Sequence, residues 1–455
     1  MKHTDIIILA GGSGTRMHGG APKPLRRLGG GTMLGEVLRS ARALGGPEPV
    51  VVVNPAQPEV VEFVRHSGAH LAEQPAPKGT GDAVRCALDQ CSGESVLVLY
   101  ADMPMVHPQT LRRLLECGSA EPGEALVLLT AELPDPARYG RVVRDAEARV
   151  SCIVEYADAS PAEQGIREIF TGVLLADRDL LVRSLDRLDS QNQQGEFYLT
   201  DIVGHAVAEG VVPAALQVAD SGEAAGANTL SELVRMERLW QRRTAERLLD
   251  DGLEIADPVR FDLRGELLHG AGCRIDVGAV LEGRIVLGDG VRIGAHAVLR
   301  DVELGDGTEV LPHSVLEGVT AQGNCRIGPF ARLRPRTHLS EGARIGNFVE
   351  TKNTHIGAGS KASHLSYIGD LSVGASANIG AGVIHCNYDG RSKHQSALGD
   401  GAFIGSNASL IGPVQIGEHA YVAAGSAINK DVEPESLGVA RARQRNVPDW
   451  KREPE

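Results

Sequence analysis

Aromatic side chains are scarce in this chain: Phe, Trp and Tyr make up 4% of its 455 residues. Such a composition excludes cores filled mainly by rings and suits a thin core of Ile, Val, Leu and Ala. Positive charge is also short. The 46 Lys and Arg stand against 59 Asp and Glu, a net charge of −13, which argues against a nucleic-acid binder with its basic footprint. The seven cysteines, Cys86, Cys91, Cys117, Cys152, Cys273, Cys325 and Cys386, never stand in a CxxC pair. An odd, scattered set argues against structural disulfides and reads as reduced thiols, buried as small hydrophobes. No apolar run approaches membrane-spanning length, and Ile6–Ala10 is too short for a signal sequence. The expectation is a cytoplasmic protein of two or three domains, with neither membrane nor nucleic acid as partner.

What the chain does have is a repeat. From about Gly278 to Ile428 an aliphatic residue followed by a small one, usually Gly, recurs at six-residue spacing. Leu287-Gly288, Ile293-Gly294, Ile356-Gly357, Ile368-Gly369, Val373-Gly374 and Ile379-Gly380 carry it, then Leu398-Gly399, Ile404-Gly405, Ile411-Gly412 and Ile416-Gly417. This is the hexapeptide signature of a parallel β-helix, whose coils must stack to bury their apolar faces. The pattern breaks between Gly380 and Leu398, where His385-Cys386-Asn387-Tyr388-Asp389-Gly390 fits no hexad. A polar loop thrown out of a solenoid is where function tends to be placed.

Residues 1 to about 228 read differently. Ile6–Ala10, Val50–Asn54 and Val96–Tyr100 are unbroken apolar strands alternating with helical stretches at 34–44, 81–88 and 109–115. That alternation predicts a parallel sheet covered on both faces, with ligands bound beyond the carboxyl ends of its strands. Thr229-Leu-Ser-Glu232 is a capping box. It opens a connecting helix with an apolar stripe of Leu230, Leu233, Val234, Trp240 and Leu248. The divisions expected are 1–229, a linker helix 230–251, and 252–455, whose end after Asn429 is a polar tail along the outside.

Leu9-Ala10-Gly11-Gly12-Ser13-Gly14-Thr15-Arg16-Met17 follows the first strand. Glycines let backbone N–H groups approach phosphate oxygens, but the stretch is neither a Walker loop nor a dinucleotide fingerprint. It carries Arg16 and then Lys23, two cations that suit a triphosphate losing its outer phosphates. The plainer possibility is a tight turn with surface charges. Tyr100-Ala101-Asp102-Met103-Pro104 puts a carboxylate at the sheet's carboxyl edge, able to hold Mg²⁺ against phosphates or simply to cap the next helix.

Together these motifs resemble the sugar-nucleotide pyrophosphorylases. With the solenoid, nearly the whole chain resembles the bacterial bifunctional family of N-acetylglucosamine-1-phosphate uridylyltransferase / glucosamine-1-phosphate N-acetyltransferase. The resemblance implies an α/β, Rossmann-like nucleotidyltransferase domain with a mostly parallel sheet, followed by a left-handed parallel β-helix of hexapeptide repeats. It implies that UTP is held by Leu9, Ala10, Gly11, Gly12, Lys23, Tyr100, Ala101 and Asp102, and that Gln74, Gly79 and Thr80 read uracil. Gly140 and Glu155 would contact sugar and nucleotide, and Asp102 and Asn228 would hold Mg²⁺. Phe170 stands in Glu168-Ile169-Phe170-Thr171-Gly172 where the family has a ligand-binding Asn. Phe offers no hydrogen bond, so it is left outside the expected site.

The resemblance extends along the solenoid. Arg334 and Lys352, 18 residues apart, would stack as a phosphate clamp for glucosamine-1-phosphate, with Tyr367 and Asn378 beside them. His364 would be the general base that frees the attacking amine. Ala381, Asn387, Tyr388, Ser406, Ala424 and Arg441 would hold acetyl-CoA. A homotrimer formed through the solenoids is also implied, as is a role supplying precursors of cell wall and lipopolysaccharide. Three alternatives stay open: a uridylyltransferase whose β-helix serves only oligomerisation or regulation, a non-catalytic scaffold, and a β-helix metalloenzyme using His355, His364, His385 and His394.

Overall fold

The computed structural model describes residues 3–12, 17, 19–120 and 124–451. The chain divides into two compact units, Met1–Trp240 and Gln241–Glu455.

In the first unit, nine strands among the described residues form one sheet. They are β1 (Thr4–Leu9), β2 (Val50–Val53), β3 (His70–Glu73), β4 (Ser95–Tyr100), β5 (Leu126–Glu132), β6 (Arg141–Arg144), β7 (Val150–Val154), β8 (Glu168–Asp177) and β9 (Ala214–Gln217). Their order is β9-β5-β8-β4-β1-β2-β3, with the β6–β7 hairpin attached to β8 through β6. β4, β1, β2 and β3 run parallel, while β8 lies antiparallel to β4 and β5. The apolar runs are unbroken because both faces are covered. Ile7, Val52 and Val98 enter one core layer, and Ile8, Val51 and Leu99 the other. Helices α1 (Met33–Arg42), α2 (Pro58–Ser67), α3 (Thr80–Ala87), α4 (Pro108–Ala120), α5 (Arg178–Asp186) and α6 (Asp201–Ala208) follow strands or connect them.

Helix α7 (Leu230–Asp250) crosses the boundary between the units. Its capping box is complete: Glu232 N–H donates to Thr229 Oγ1 at 3.2 Å, and Thr229 N–H donates to a Glu232 carboxylate oxygen at 3.1 Å. The expected stripe needs correcting. Leu230 and Val234 are exposed, and Met236, Ala245 and Leu248 are the buried apolar residues. The periodicity is right, but its phase is set by which turns meet a core.

The second unit is a left-handed parallel β-helix. Register partners Arg274, Arg292, Glu309, Arg326, Arg344, Lys361, Asn378, Phe403, Tyr421 and Leu437 trace one of its faces. Core positions alternate inward along every short strand, so Ile275, Ile293, Val310, Ile327, Ile345, Ile379 and Ile404 stack into one apolar column. The coils begin at Glu254, well before the first clear hexad, and continue through the strand Leu437–Gly438. The earliest coils escape the hexad pattern because single long strands, such as Asp262–His269 and Val280–Leu287, take the place of two short ones.

Corners turn through the left-handed region. Where glycine is absent, Asn353 and Asp370 occupy it, with φ of 46° and 55°; short polar side chains tolerate this conformation best. Another corner carries a ladder of stacked rings, His296, His313, Phe330 and Phe348, with centroids 5.0–5.5 Å apart. The interruption is also corrected. Ile384–Cys386 is a strand of the solenoid, and His385 is buried at a core position between Ile368 and Leu410. The chain leaves the coil only after Cys386. It forms a short hairpin closed by a Tyr388–Lys393 bridge and rejoins the solenoid at Ser396.

Candidate functional site

Two groups of polar side chains stand out, one in each unit. The first lies at the carboxyl ends of β1 and β4, which are paired so that Leu9 faces Tyr100. The loops leaving them are therefore neighbours, and a cavity of about 300 Å³ opens between them. It is lined by Leu9, Ala10, Gly11, Gly12, Lys23, Gln74, Gly79, Thr80, Tyr100, Ala101 and Asp102. All of these were expected to bind the nucleotide. Arg16 lies outside the described residues.

Gln74 is held from behind. Its amide nitrogen donates to Gly79 O at 3.1 Å and to Asp82 Oδ2 at 2.8 Å. Both N–H groups are thus occupied, which leaves Oε1 as an acceptor beside Gly11. Gly79 has φ of 113°, and a Cβ there would meet Phe197 O at 2.5 Å, so no other residue fits this turn. Thr80 Oγ1 accepts from Leu199 N–H at 3.0 Å. The Tyr100 hydroxyl is buried and hydrogen-bonded to Thr80; burial raises its pKa far above the ordinary value, so it stays neutral.

Lys23 Nζ donates to Asp102 Oδ2 and, at 2.7 Å, to Asn228 Oδ1. A carboxylate and an amide oxygen more than a hundred residues apart in sequence thus converge on one point. No group of three or more His, Cys, Asp or Glu among the described residues is placed to hold a metal. One carboxylate and one amide oxygen nevertheless suit Mg²⁺, which takes few protein ligands and completes its shell with phosphate and water.

Asp102 and Tyr100 also border a second cavity, of about 160 Å³, lined by Gly140, Glu155, Phe170, Thr171, Gly172 and Asn228. Burial raises the Glu155 pKa above the ordinary carboxylate value. A hydrogen bond from Thr200, at 3.1 Å, opposes the rise, while Asp201, Asp158 and Glu196 add to it. Phe170 lines this cavity although its sequence suggested no place in the site, and its backbone N–H donates to Gly140 O at 2.9 Å. Arg141 is a supporting residue without a motif to mark it. It is almost wholly buried and donates to the carbonyls of Pro136, Ala137, Tyr139 and Gln164, fixing the loop that presents Gly140.

The second group sits on the solenoid. Arg332 pairs with Glu350 and Leu333 with Thr351, so Arg334 stands directly over Lys352. Lys393 of the hairpin joins them. It lies within hydrogen-bonding reach of Lys352 and lowers that amine's pKa, with Arg334 contributing further. Arg334 is also paired with Glu350 at 2.9 Å. Crowded cations of this kind are relieved by an anion. One corner stacks Asn353, Asp370 and Asn387. Asp370 accepts from both asparagine amides at 2.6 Å. Burial pushes the Asp370 carboxyl up, but those two hydrogen bonds, with Lys352 and Lys393 nearby, outweigh it and the net shift is downward. Tyr367 lies over Gly369, where any Cβ would meet its hydroxyl at 2.3 Å, and that hydroxyl is 3.5 Å from the Asn387 amide. Asn387 is buried and turned towards Asp370, whereas Tyr388 is exposed, its hydroxyl donating to Gly390 O. The motifs did not single out Lys393, Asp370 or Asn353; a corner of the coils and the hairpin bring them together.

His364 is paired with Asn347, and its Nδ1 is 2.7 Å from the Asn347 carboxamide oxygen. Nδ1 therefore carries the proton, and Nε2 is free to accept one. Lys361, Asn378, Phe403 and Tyr421 are successive partners in register. Three residues further along each coil, His364, at a strand end, and the turn residues Ala381, Ser406 and Ala424 form a single row. Arg441 closes its far end, donating to Ala424 O at 2.7 Å. With strands about 4.8 Å apart, this row runs about 14 Å from His364 to Ala424. The metalloenzyme alternative loses its ligand set. His385 is buried with both ring nitrogens hydrogen-bonded, and His355 Nε2 is paired with Ser340.

A cavity of about 300 Å³ at the carboxyl edge of a mostly parallel sheet and a polar row on a hexapeptide solenoid are two candidate sites of a transferase. Family models agree. A MobA-like NTP transferase domain matches residues 6–195, and the bacterial transferase hexapeptide of six repeats matches 396–430. Curated relatives similar over almost the full length include the bifunctional protein GlmU of Alkalilimnicola ehrlichii, 51% identical over 98% of this chain and 96% of that protein. GlmU of Methylococcus capsulatus is 47% identical, with 98% and 96% covered, and that of Stenotrophomonas maltophilia is 47% identical, with 98% of each covered. The chain belongs to the bifunctional GlmU family.

Proposed function

We propose that the protein makes UDP-N-acetylglucosamine in two steps, acetylating glucosamine-1-phosphate from acetyl-CoA on the solenoid and joining the product to UTP in the α/β unit. The observation that carries this reading is the second polar group. A solenoid used only for oligomerisation has no need of a cation cluster, an inserted hairpin and a His364–Asn347 pair in one register. One purified sample tests it, assayed separately for CoA release with glucosamine-1-phosphate and for pyrophosphate release with UTP and N-acetylglucosamine-1-phosphate. Absence of the first activity with the second intact would leave the uridylyltransferase-only alternative.

In uridylyl transfer the phosphate oxygen of N-acetylglucosamine-1-phosphate attacks the α-phosphorus of UTP and pyrophosphate leaves. Charge neutralisation and alignment lower the barrier; no protein nucleophile is needed. Gln74 Oε1 is suited to accept uracil N3–H, a donor that cytosine lacks. Lys23 neutralises phosphate oxygens, with Arg16 assigned to the departing pyrophosphate. Asp102 and Asn228 would hold Mg²⁺, which when bound supplies charge and alignment at those oxygens. Gly140 and Glu155 face the sugar. The Glu155 carboxyl titrates above its unfolded value, so near neutrality the folded state bears the cost of keeping it ionised, and stability rises as pH falls through the folded pKa. Glu155→Gln is accordingly expected to raise the thermal midpoint at pH 8. It should lower uridylyl transfer by about 10- to 100-fold through the lost charge-assisted hydrogen bond, as steady-state kinetics and thermal melts on one sample would measure.

In acetyl transfer Arg334, Lys352 and Lys393 clamp the sugar phosphate. His364 Nε2 accepts a proton from the amine as it attacks the thioester carbonyl. The row Ala381, Ser406, Ala424 and Arg441 carries the CoA arm, its phosphates at the arginine end. Lys393→Ala is expected to raise KM for glucosamine-1-phosphate about tenfold, the usual scale for a charged hydrogen bond, with KM for acetyl-CoA little changed. A homotrimer through the solenoids belongs to the same proposal, supported by the exposed rings of Phe330 and Phe348 and by exposed Leu365 on one corner. A cytoplasmic location is supported by the intracellular supply of UTP and acetyl-CoA. No helix among the described residues is long and apolar enough to cross a membrane.

A further inference from the structure

His385 occupies a core position in a column otherwise made of Leu333, Thr351, Ile368, Leu410 and Ile428. Packing alone asks for an aliphatic residue there. The imidazole instead makes two directed hydrogen bonds. Nδ1 lies 2.5 Å from Gly369 O, and Nε2 lies 2.7 Å from Ser396 Oγ. A carbonyl can only accept, so Nδ1 carries the proton and the Ser396 hydroxyl donates to Nε2. Ser396 Oγ in turn accepts from Val414 N–H at 3.1 Å. Every polar atom of the pair is thus satisfied with the ring neutral, and burial lowers the imidazole's pKa in the same direction.

The two partners bracket the hairpin. His385 precedes its first root, Cys386-Asn387, and Ser396 is the residue at which the chain rejoins the coil. Between them stand Asn387, hydrogen-bonded to Asp370, and Lys393, beside Lys352. Within the hairpin, Asp389 accepts from the backbone of Arg391 and Ser392 and pairs with His394, so the loop is internally braced. Its placement on the solenoid depends on its roots.

We propose that His385 is a positioning residue of the acetyl-transfer site, an internal clasp that joins the two roots of the 386–395 hairpin and so sets where Lys393 meets the sugar phosphate and where Asn387 stands beside Asp370. The proposal rests on assigning that cluster to acetyl transfer. It is tested on the full-length protein with His385→Leu, which supplies the aliphatic side chain found elsewhere in the column. The expected variant is folded, with unchanged uridylyl transfer. Its KM for glucosamine-1-phosphate should rise about tenfold while kcat falls less. His385→Gln, whose amide oxygen can still accept from Ser396, should recover part of the loss. If His385→Leu fails to fold, Ser396→Ala decides, with the same rise in KM expected. Parent-like acetyl-transfer kinetics in the deciding variant would overturn the clasp. His364→Ala, assayed alongside, separates the two ideas. Full acetylation by that variant removes the site assignment itself, whereas an inactive His364→Ala beside an unaffected His385→Leu removes only the clasp.

Discussion

Replacing His364 with Ala is expected to lower acetyl transfer by a factor of about 10² to 10⁴, the usual contribution of a general base, and to leave pyrophosphate release untouched. The protein should remain folded, because His364 is exposed and the partner of its ring, Asn347, is partly exposed as well. CoA release and pyrophosphate release measured on the same preparation check the outcome. Normal CoA release would remove the base assignment. Asn347→Asp offers a graded companion. A carboxylate at Nδ1 stabilises the imidazolium and raises its pKa, so the acidic limb of the acetyl-transfer pH profile should move to higher pH. An unmoved limb would mean that the titrating group lies elsewhere.

Asp102→Asn is expected to do the reverse, lowering uridylyl transfer by about 10² to 10³ while acetyl transfer continues. The substitution keeps the shape of the side chain and an oxygen for Lys23, so a folding defect is not expected. It removes the one carboxylate where the Asp102 and Asn228 oxygens converge. Mn²⁺ binding followed by electron paramagnetic resonance supplies a readout independent of turnover. Tight Mn²⁺ binding retained in the variant would place the metal elsewhere, and normal pyrophosphate release would remove Asp102 from the mechanism.

The architecture was legible because both units repeat a simple periodicity. Unbroken apolar strands marked the covered sheet, and Ile-Gly pairs marked the coils. The phase of α7 was not legible, because Leu230 and Val234 fit the stripe as well as Met236 does until the surrounding core is known. Nucleotide-site residues lay in contiguous motifs beside strand ends, and all but Arg16 line the two cavities or converge on Asp102. The solenoid site was legible only in part. Arg334 over Lys352 follows from counting 18 residues, but Asp370 and Lys393 join the cluster through a corner turn and a hairpin that no count reveals. His385 was hidden for a different reason. A histidine beside Cys-Asn-Tyr-Asp-Gly reads as the start of a polar loop, and only the coil register shows that it belongs to the core.

The row from His364 through Ala381 and Ser406 to Ala424 has a length that can change only in steps. Each rung is one coil, about 4.8 Å, so the span between the base and Arg441 is a whole number of rungs. On the assignment proposed for the CoA arm, the solenoid would act as a ruler for the acyl donor. Duplicating the coil that contains Ser406 would keep every corner and every core column in phase, yet would carry the arginine one rung beyond the reach of the same thioester. Donor length would then be written into the number of coils, beyond the reach of substitutions on the faces.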